Sequence, residues 1–308
     1  MNWAELRSLV LDGLAQPVKR LPCQLLYGGV GAQLFEDVTE AKDYYLSRAE
    51  TKLLAEAVPA IAPVVGPRAR VIEPGCGSAR KTRILLSGLD SPAIYVPIDI
   101  AQEQLAASAA VLRAEHPELV VTPVTADFTQ MISLPPLHGG VGKTLVFFPG
   151  STIGNFEPYA ARDLMARFER MAGRRALLLL GADSNNEPSE LCRAYDDSEG
   201  KTAAFNMNVL AFLNDRFGAT FSMEQFEHRA IWNAPLSRIE MHLVSRCRQV
   251  VEVSGRRFRI DRGEHIITEH CYKHSPSVLA RILQDSGWTV RGTFVDTEQR
   301  MRLWLAAS

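Results

Sequence analysis

Apolar and polar positions alternate with two periods along the chain, and the balance between them changes near residue 186. Between about Asp43 and Asp183, apolar runs of strand length are separated by amphipathic stretches of helix length. The runs 70–73, 94–99, 120–124, 144–148 and 176–181 read as strands, and 80–87, 102–115 and 159–171 read as helices. Strands alternating with helices of that length imply βαβ units and a parallel sheet. The leucine run at 177–180 suits a strand covered on both faces. Beyond it, 187–217 predicts two helices, with Phe205, Val209, Phe212 and Leu213 on one face. The segment 238–268 predicts a hairpin of 239–253 against 257–268, turning at Ser254-Gly255. A helix over 277–285, ending at Gly287, and strand-like runs at 289–295 and 301–305 close the chain. This pattern describes an α/β protein: a Rossmann-like sheet interrupted after its fifth strand by a second, α+β lobe. The first 45 or so residues do not fit the βαβ rhythm and are assigned to that lobe. The expected domains are therefore 46–186 with 275–308, and 1–45 with 187–274.

Composition narrows the class of function without naming it. The 308 residues are 46% hydrophobic and carry a formal net charge of −1, so no charge excess points to nucleic acid or a membrane surface. The apolar runs are too short to span a bilayer, and charges fall where an export signal needs its apolar centre. Five cysteines, Cys23, Cys76, Cys192, Cys247 and Cys271, are scattered and form no C-x-x-C pair, which suits reduced thiols in the cytoplasm. A monomer acting on a small molecule is the default expectation.

Val71-Ile-Glu-Pro-Gly-Cys-Gly-Ser78 lies at a predicted strand-to-helix junction. Gly75 and Gly77 allow a sharp turn and close approach of a ligand to the backbone. A dinucleotide-binding loop would carry a third glycine as G-x-G-x-x-G, and the chain reads G-C-G-S-A-R instead. An acid before a two-glycine loop resembles the first motif of class I S-adenosylmethionine-dependent methyltransferases. Asp99 ends the second strand, where a carboxylate can accept both ribose hydroxyls. Asp127-Phe128 follows the third, where the acid can meet the adenine amine and the ring can flank the base. The plainer alternative is that both acids cap the helices that follow. Asn155, after the fourth strand in Phe147-Phe-Pro-Gly-Ser-Thr-Ile-Gly-Asn-Phe156, offers an acceptor and two donors, enough to bridge an amine and a carboxylate.

At that loop the chain resembles the S-adenosylmethionine-dependent L-histidine Nα-methyltransferases of ergothioneine biosynthesis. The resemblance runs from Leu26-Tyr-Gly-Gly-Val-Gly31 and Asp43-Tyr-Tyr-Leu-Ser-Arg48 to Trp304. Its most specific strings are Gly150-Ser-Thr-Ile-Gly-Asn155, Arg193-Ala-Tyr-Asp-Asp197, Thr202-Ala-Ala-Phe-Asn206, Arg238-Ile-Glu-Met241 and Thr268-Glu269. It implies a Rossmann-like methyltransferase domain and a substrate-binding domain built from the N-terminal segment and the insertion. It implies cofactor contacts at Gly75, Gly77, Lys81, Asp99, Asp127 and Phe128, with Tyr44 close to the reacting methyl. Asn155 and Tyr195 match residues that hold the substrate amine and carboxylate, so Tyr44 and Asn155 are the expected orienting groups. Tyr27, Phe35, Met241 and Glu269 match positions around the side-chain pocket, with Glu269 hydrogen-bonding the imidazole. The implied product is the trimethylated betaine, hercynine.

Two departures bear on the substrate. The family reads T-E-x-S-x-K where this chain has Thr268-Glu-His-Cys-Tyr-Lys273, so Cys271 replaces a serine that helps bind the imidazole. A lost neutral hydrogen bond is worth about 0.5–1.5 kcal/mol, against about 1.5–3 kcal/mol for a bond to charged Glu269. Arg300-Met-Arg-Leu-Trp-Leu305 departs from the usual F-G-L pattern. Rival readings are the same chemistry on another amino acid or an aromatic amine, a nicotinamide-dependent oxidoreductase, and a non-catalytic S-adenosylmethionine sensor. No metal is expected: in a strand Glu269 and Cys271 share one face while His270 points to the other. Asp196 and Asp197, after a predicted helix, read as stabilising a turn or the next helix start, and Arg256, Arg257 and Arg259 as a solvated hairpin face.

Overall fold

The computed structural model describes residues 3–134 and 140–308. They divide into two compact units, one of Leu46–Asn185 with Lys273–Ser308, the other of the chain up to Tyr45 with Asn186–Tyr272.

The larger unit is built on one sheet. Its strands are β1 (Arg70–Pro74), β2 (Ile94–Asp99), β3 (Val120–Val121), β4 (Val124–Thr125), β5 (Thr144–Phe148), β6 (Leu177–Asp183), β7 (Thr289–Val295) and β8 (Met301–Ala307). Across the sheet they run β7-β8-β6-β5-β1-β2-β3, with β4 also paired to β2. All neighbours among β1 to β6 are parallel, whereas β8 is antiparallel to both β6 and β7. The chain moves outward one way from β1 to β2 and β3, then returns to the other side of β1 as β5. That reversal opens a crevice at the carboxyl ends of β1 and β5, where such sheets bind ligands.

The side-chain alternation of β5 and β6 explains the two-sided cover. Leu145, Phe147, Leu177 and Leu179 join one core with Leu54 and Ile61 of helix Tyr45–Val65 and Leu85 of helix Arg80–Gly88. Val146, Phe148, Leu178 and Leu180 point the other way, among Leu164 and Phe168 of helix Pro158–Ala172 and Leu283 of helix Pro276–Asp285. Consecutive residues are therefore buried on opposite faces.

Two features differ from expectation. The single strand expected at 120–124 is two short pieces, broken at Thr122-Pro123, where proline supplies no N–H to a ladder. Helix Tyr45–Val65 has no counterpart in the predicted elements. It contains Pro59 and Pro63, residues that read locally as helix breakers.

In the smaller unit, strands Lys19–Arg20, His265–Tyr272, Arg238–Ser245 and Phe226–Asn233 form a sheet in that order, antiparallel except for the first pair. The long hairpin expected over 239–268 is instead two shorter pairings. Gln249–Val253 pairs with Arg256–Ile260 as a separate two-stranded ribbon. Its turn residues, Ser254 and Gly255, both have positive φ, of 49° and 79°, as a tight hairpin turn requires. Arg238–Ser245 then pairs with His265–Tyr272, and Gly263 at φ +78° helps turn the chain between the two pairings. Helices Pro188–Tyr195 and Lys201–Phe217 follow the expected pair, and Phe205, Val209, Phe212 and Leu213 of the second are all buried. Asp197 accepts N–H bonds from Glu199, Lys201 and Thr202 at the start of that helix, so it acts there as a terminating acceptor.

Candidate active site

The glycine loop follows β1 at the strand-order reversal. Gly75 and Gly77 have φ of +72° and +50°, left-handed values that favour glycine. A Cβ on Gly75 would lie 3.3 Å from the Phe128 ring, so a side chain there would crowd the aromatic that lies against the turn. Asp99, at the end of β2, accepts from Gly77 N at 3.3 Å and Ala101 N at 2.9 Å. Burial raises its carboxyl above the usual carboxylate range, against those backbone bonds. Helix Gln102–Glu115 has no side-chain cap; Asp99 ties down the loop instead. Asp127 accepts from Thr129 N and Thr129 Oγ1, at 2.9 and 2.6 Å, closing a turn and not a helix. The capping alternative therefore fails for both acids. The loop thus combines exposed glycine backbone, an accepting carboxylate at or just after each of two strand ends and an aromatic face, a set of groups that fits a nucleoside with a charged tail.

Beneath the loop lies Glu73, only 2% exposed. Its Oε2 accepts from Thr82 Oγ1 at 2.5 Å and from Tyr95 Oη at 2.6 Å. Burial raises its carboxyl to about 7, a rise that the two hydroxyls and the Lys81 charge oppose. A raised carboxyl contributes stability present below the unfolded value of 4.5 and lost as pH climbs through 7, because the folded state keeps the proton longer. Glu73→Gln is expected to flatten thermal stability across that window. Melting curves at pH 5, 6 and 7 check it, and an unchanged slope counts against the assignment.

The stretch after β5 is held from two sides. Ser151, at φ +56° and buried, accepts the backbone N–H of Asp183 at 3.0 Å through its hydroxyl. Glu50 accepts the Gly150 N–H and pairs with the Lys81 ammonium. Asn155 then ends a short 3-10 helix, Thr152–Asn155, and is half-buried. Asp183 forms an ion pair at 2.7 Å with Lys273, both side chains fully buried.

The other predicted residues lie in the smaller unit. Glu269 pairs with Met241 across strands His265–Tyr272 and Arg238–Ser245, while His270 pairs with Glu240 and Cys271 with Ile239. Glu269, Cys271 and Met241 therefore share one face, all less than a tenth exposed. Tyr195 is also buried; burial first, then the nearby Cys271, Tyr44 and Glu269, push its hydroxyl well above the usual range. The Tyr195 and Tyr44 rings lie 6.0 Å apart, edge to face. Tyr27 and Phe35 are 5.3 Å apart, and each also contacts Phe205. The fold thus gathers two groups in this unit: Tyr44, Tyr195, Glu269 and Cys271 in one, Tyr27 and Phe35 with Phe205 in the other.

Three contributors escaped the sequence reading. Phe205 passed as a core position of its helix. Asp43 bonds Ser198 through both its N–H and its hydroxyl, at 2.9 and 2.6 Å, and so ties the Tyr44 segment to the loop after Tyr195. Glu50 had only an indirect signal, Gly181, which makes room for it.

The sheet order and the loop at its reversal define the class: this is the fold of an S-adenosylmethionine-dependent methyltransferase. A solved methyltransferase of that kind from Clostridium acetobutylicum superposes over 89% of this chain and 98% of its own, with a TM-score of 0.52 at 10% identity. The model of the family described as histidine-specific methyltransferase, SAM-dependent, matches residues 6–308, and the chain belongs to that family. The histidine N-alpha-methyltransferases of Mycolicibacterium smegmatis and Mycobacterium tuberculosis are each 35% identical to it, over 92% of this chain and 88% of theirs. Among the described residues no helix is long and apolar enough to cross a membrane.

Proposed function

We propose that this protein methylates the α-amino group of L-histidine three times in succession, giving its trimethyl betaine, hercynine. The observation that carries the substrate is Glu269, a carboxylate facing the same side of its sheet as Met241, Cys271 and the buried Tyr195. A carboxylate on that face accepts hydrogen bonds through two oxygens, and an imidazole N–H is a donor it can take. The histidine N-alpha-methyltransferases to which the chain is similar point the same way.

The larger unit is assigned the cofactor, through Gly75, Gly77, Lys81, Asp99, Asp127 and Phe128, and the smaller unit the amino-acid side chain, through Tyr27, Phe35, Met241, Glu269 and Cys271. Bound S-adenosylmethionine supplies an already activated methyl on its sulfonium. What remains for the protein is to orient a neutral amine and to exclude water. Asn155, Tyr195 and Tyr44 are assigned that orienting role, and the proton leaves to water before each transfer. The scattered thiols and balanced charge support a cytoplasmic monomer.

A second reading keeps the chemistry and changes the amine to another amino acid or an aromatic amine. Cys271 in place of serine favours it, and so does the separate aromatic group of Tyr27, Phe35 and Phe205, which offers apolar faces to a ring. Mass spectrometry of the purified protein with S-adenosylmethionine and a mixture of the common amino acids separates the two. Histidine alone gaining three methyl groups supports the first reading. Histidine left intact while another amine is methylated replaces it with the second.

A further inference from the structure

Glu50 projects from helix Tyr45–Val65 and is 1% exposed. Both of its carboxylate oxygens lie within hydrogen-bond distance of Gly150 N, at 2.9 and 2.8 Å, and its Oε2 pairs with the Lys81 ammonium. A Cβ on Gly181 would fall on Glu50 Oε1, at 1.7 Å. One carboxylate thus fixes the first turn of the helix after the glycine loop and the turn after β5, and it is packed against β6. Nothing in core packing requires a charge there. A buried, unpaired carboxylate is costly, so its retention needs Lys81 and the Gly150 amide as partners.

We propose that Glu50 is a positioning residue: it holds the Lys81 ammonium at the glycine loop so that Lys81 receives the carboxylate of the cofactor's amino-acid tail. This rests on the cofactor assignment above. Lysine is a point charge on a flexible four-carbon stem, with three donors that must be aimed. Glu50 takes one donor and fixes the stem, while the Lys81 side chain stays 18% exposed, so its other donors remain open to a ligand. Glu50 adds negative charge near a carboxylate, but that charge is already neutralised by Lys81 and shared with the Gly150 N–H. With Glu50 gone, the partly exposed lysine swings toward water and loses its aim.

The test compares two ligands by calorimetry. S-adenosylhomocysteine carries the amino-acid tail, and 5′-methylthioadenosine has the same nucleoside without it. Glu50→Gln keeps shape and an acceptor for Gly150 N–H while removing the charge. It is expected to weaken S-adenosylhomocysteine binding about tenfold or more, the worth of a hydrogen bond to a charged group, and to leave methylthioadenosine within about twofold. Glu50→Asp, read the same way, keeps part of the tail preference. In Lys81→Met, adding Glu50→Gln has no further effect on the tail preference, because the two residues act as one unit. Equal weakening of both ligands, or unchanged or tighter S-adenosylhomocysteine binding, overturns the proposal. The measurement needs no turnover. A wild-type enzyme that binds S-adenosylhomocysteine but leaves histidine unmethylated refutes the substrate reading and leaves the tail comparison standing.

Discussion

Replacing Lys273 with methionine is expected to lower the unfolding free energy of the larger unit by about 3–5 kcal/mol, the cost of leaving a buried charge without its partner. The Asp183 and Lys273 side chains are both fully buried, 2.7 Å apart. Asp183 Oδ1 also accepts the N–H of Asn185, and Asp183 N donates to Ser151 Oγ, so the carboxylate is anchored on a backbone that cannot move to water. Methionine nearly matches lysine in length but offers Asp183 no donor. Urea denaturation, with hydrogen exchange read at 177–183 and 301–307, measures the loss where β6 and β8 pair. The double variant Asp183→Leu/Lys273→Met removes both charges and is expected to recover much of the stability, since apolar replacement of a whole buried pair is often neutral or better. A single-variant loss below about 1 kcal/mol, the range of an exposed pair, rules out this account of the pair. The effect reaches the site as well, because Ser151 belongs to the turn that leads to Asn155.

The parts of this fold that were legible in the sequence are those that repeat a local rule. Strands 94–99 and 144–148 and helix 102–115 coincide with the observed Ile94–Asp99, Thr144–Phe148 and Gln102–Glu115, since each is a periodic run bounded by turn residues. The less legible parts depend on distant partners. Pro59 and Pro63 hide a long helix whose Leu54 and Ile61 are held by the sheet core, and tertiary burial overrides the local signal. Phe226–Asn233 is only partly buried along its length and gives no clean alternation. The irregular register between Ile267 and Glu269 depends on the facing strand. The cofactor loop could be read because glycines and acids recur at successive strand ends. Glu50 could not, because its partners lie 31 and 100 residues away.

Glu269→Ala is expected to reduce kcat/KM for histidine roughly 10–150-fold, the equivalent of about 1.5–3 kcal/mol for a hydrogen bond to a charged group. Geometry sets this expectation. After the shift in register, Glu269 faces Met241 and shares its side with Cys271, so little else on that strand can hold a polar ring in its place. The thiol is the weaker partner: Cys271→Ser is expected to improve histidine use by tenfold at most, from the about 0.5–1.5 kcal/mol of one neutral hydrogen bond. Glu269→Gln should fall between wild type and alanine, since an amide retains a neutral acceptor without the charge. Cofactor affinity should stay unchanged in all three, because Glu269 and Cys271 lie on a strand of the smaller unit and the glycine loop belongs to the larger. An aromatic amino acid offered as a competing substrate should be affected little by Glu269→Ala, because it makes no imidazole bond to lose. The decisive comparison is the ratio of kcat/KM for histidine over that competitor in wild type and Glu269→Ala. A collapse of the ratio identifies Glu269 as the imidazole partner. A ratio preserved to within about twofold, less than a single neutral hydrogen bond of about 0.5–1.5 kcal/mol accounts for, would mean that histidine is recognised elsewhere and would turn attention to the aromatic group of Tyr27, Phe35 and Phe205.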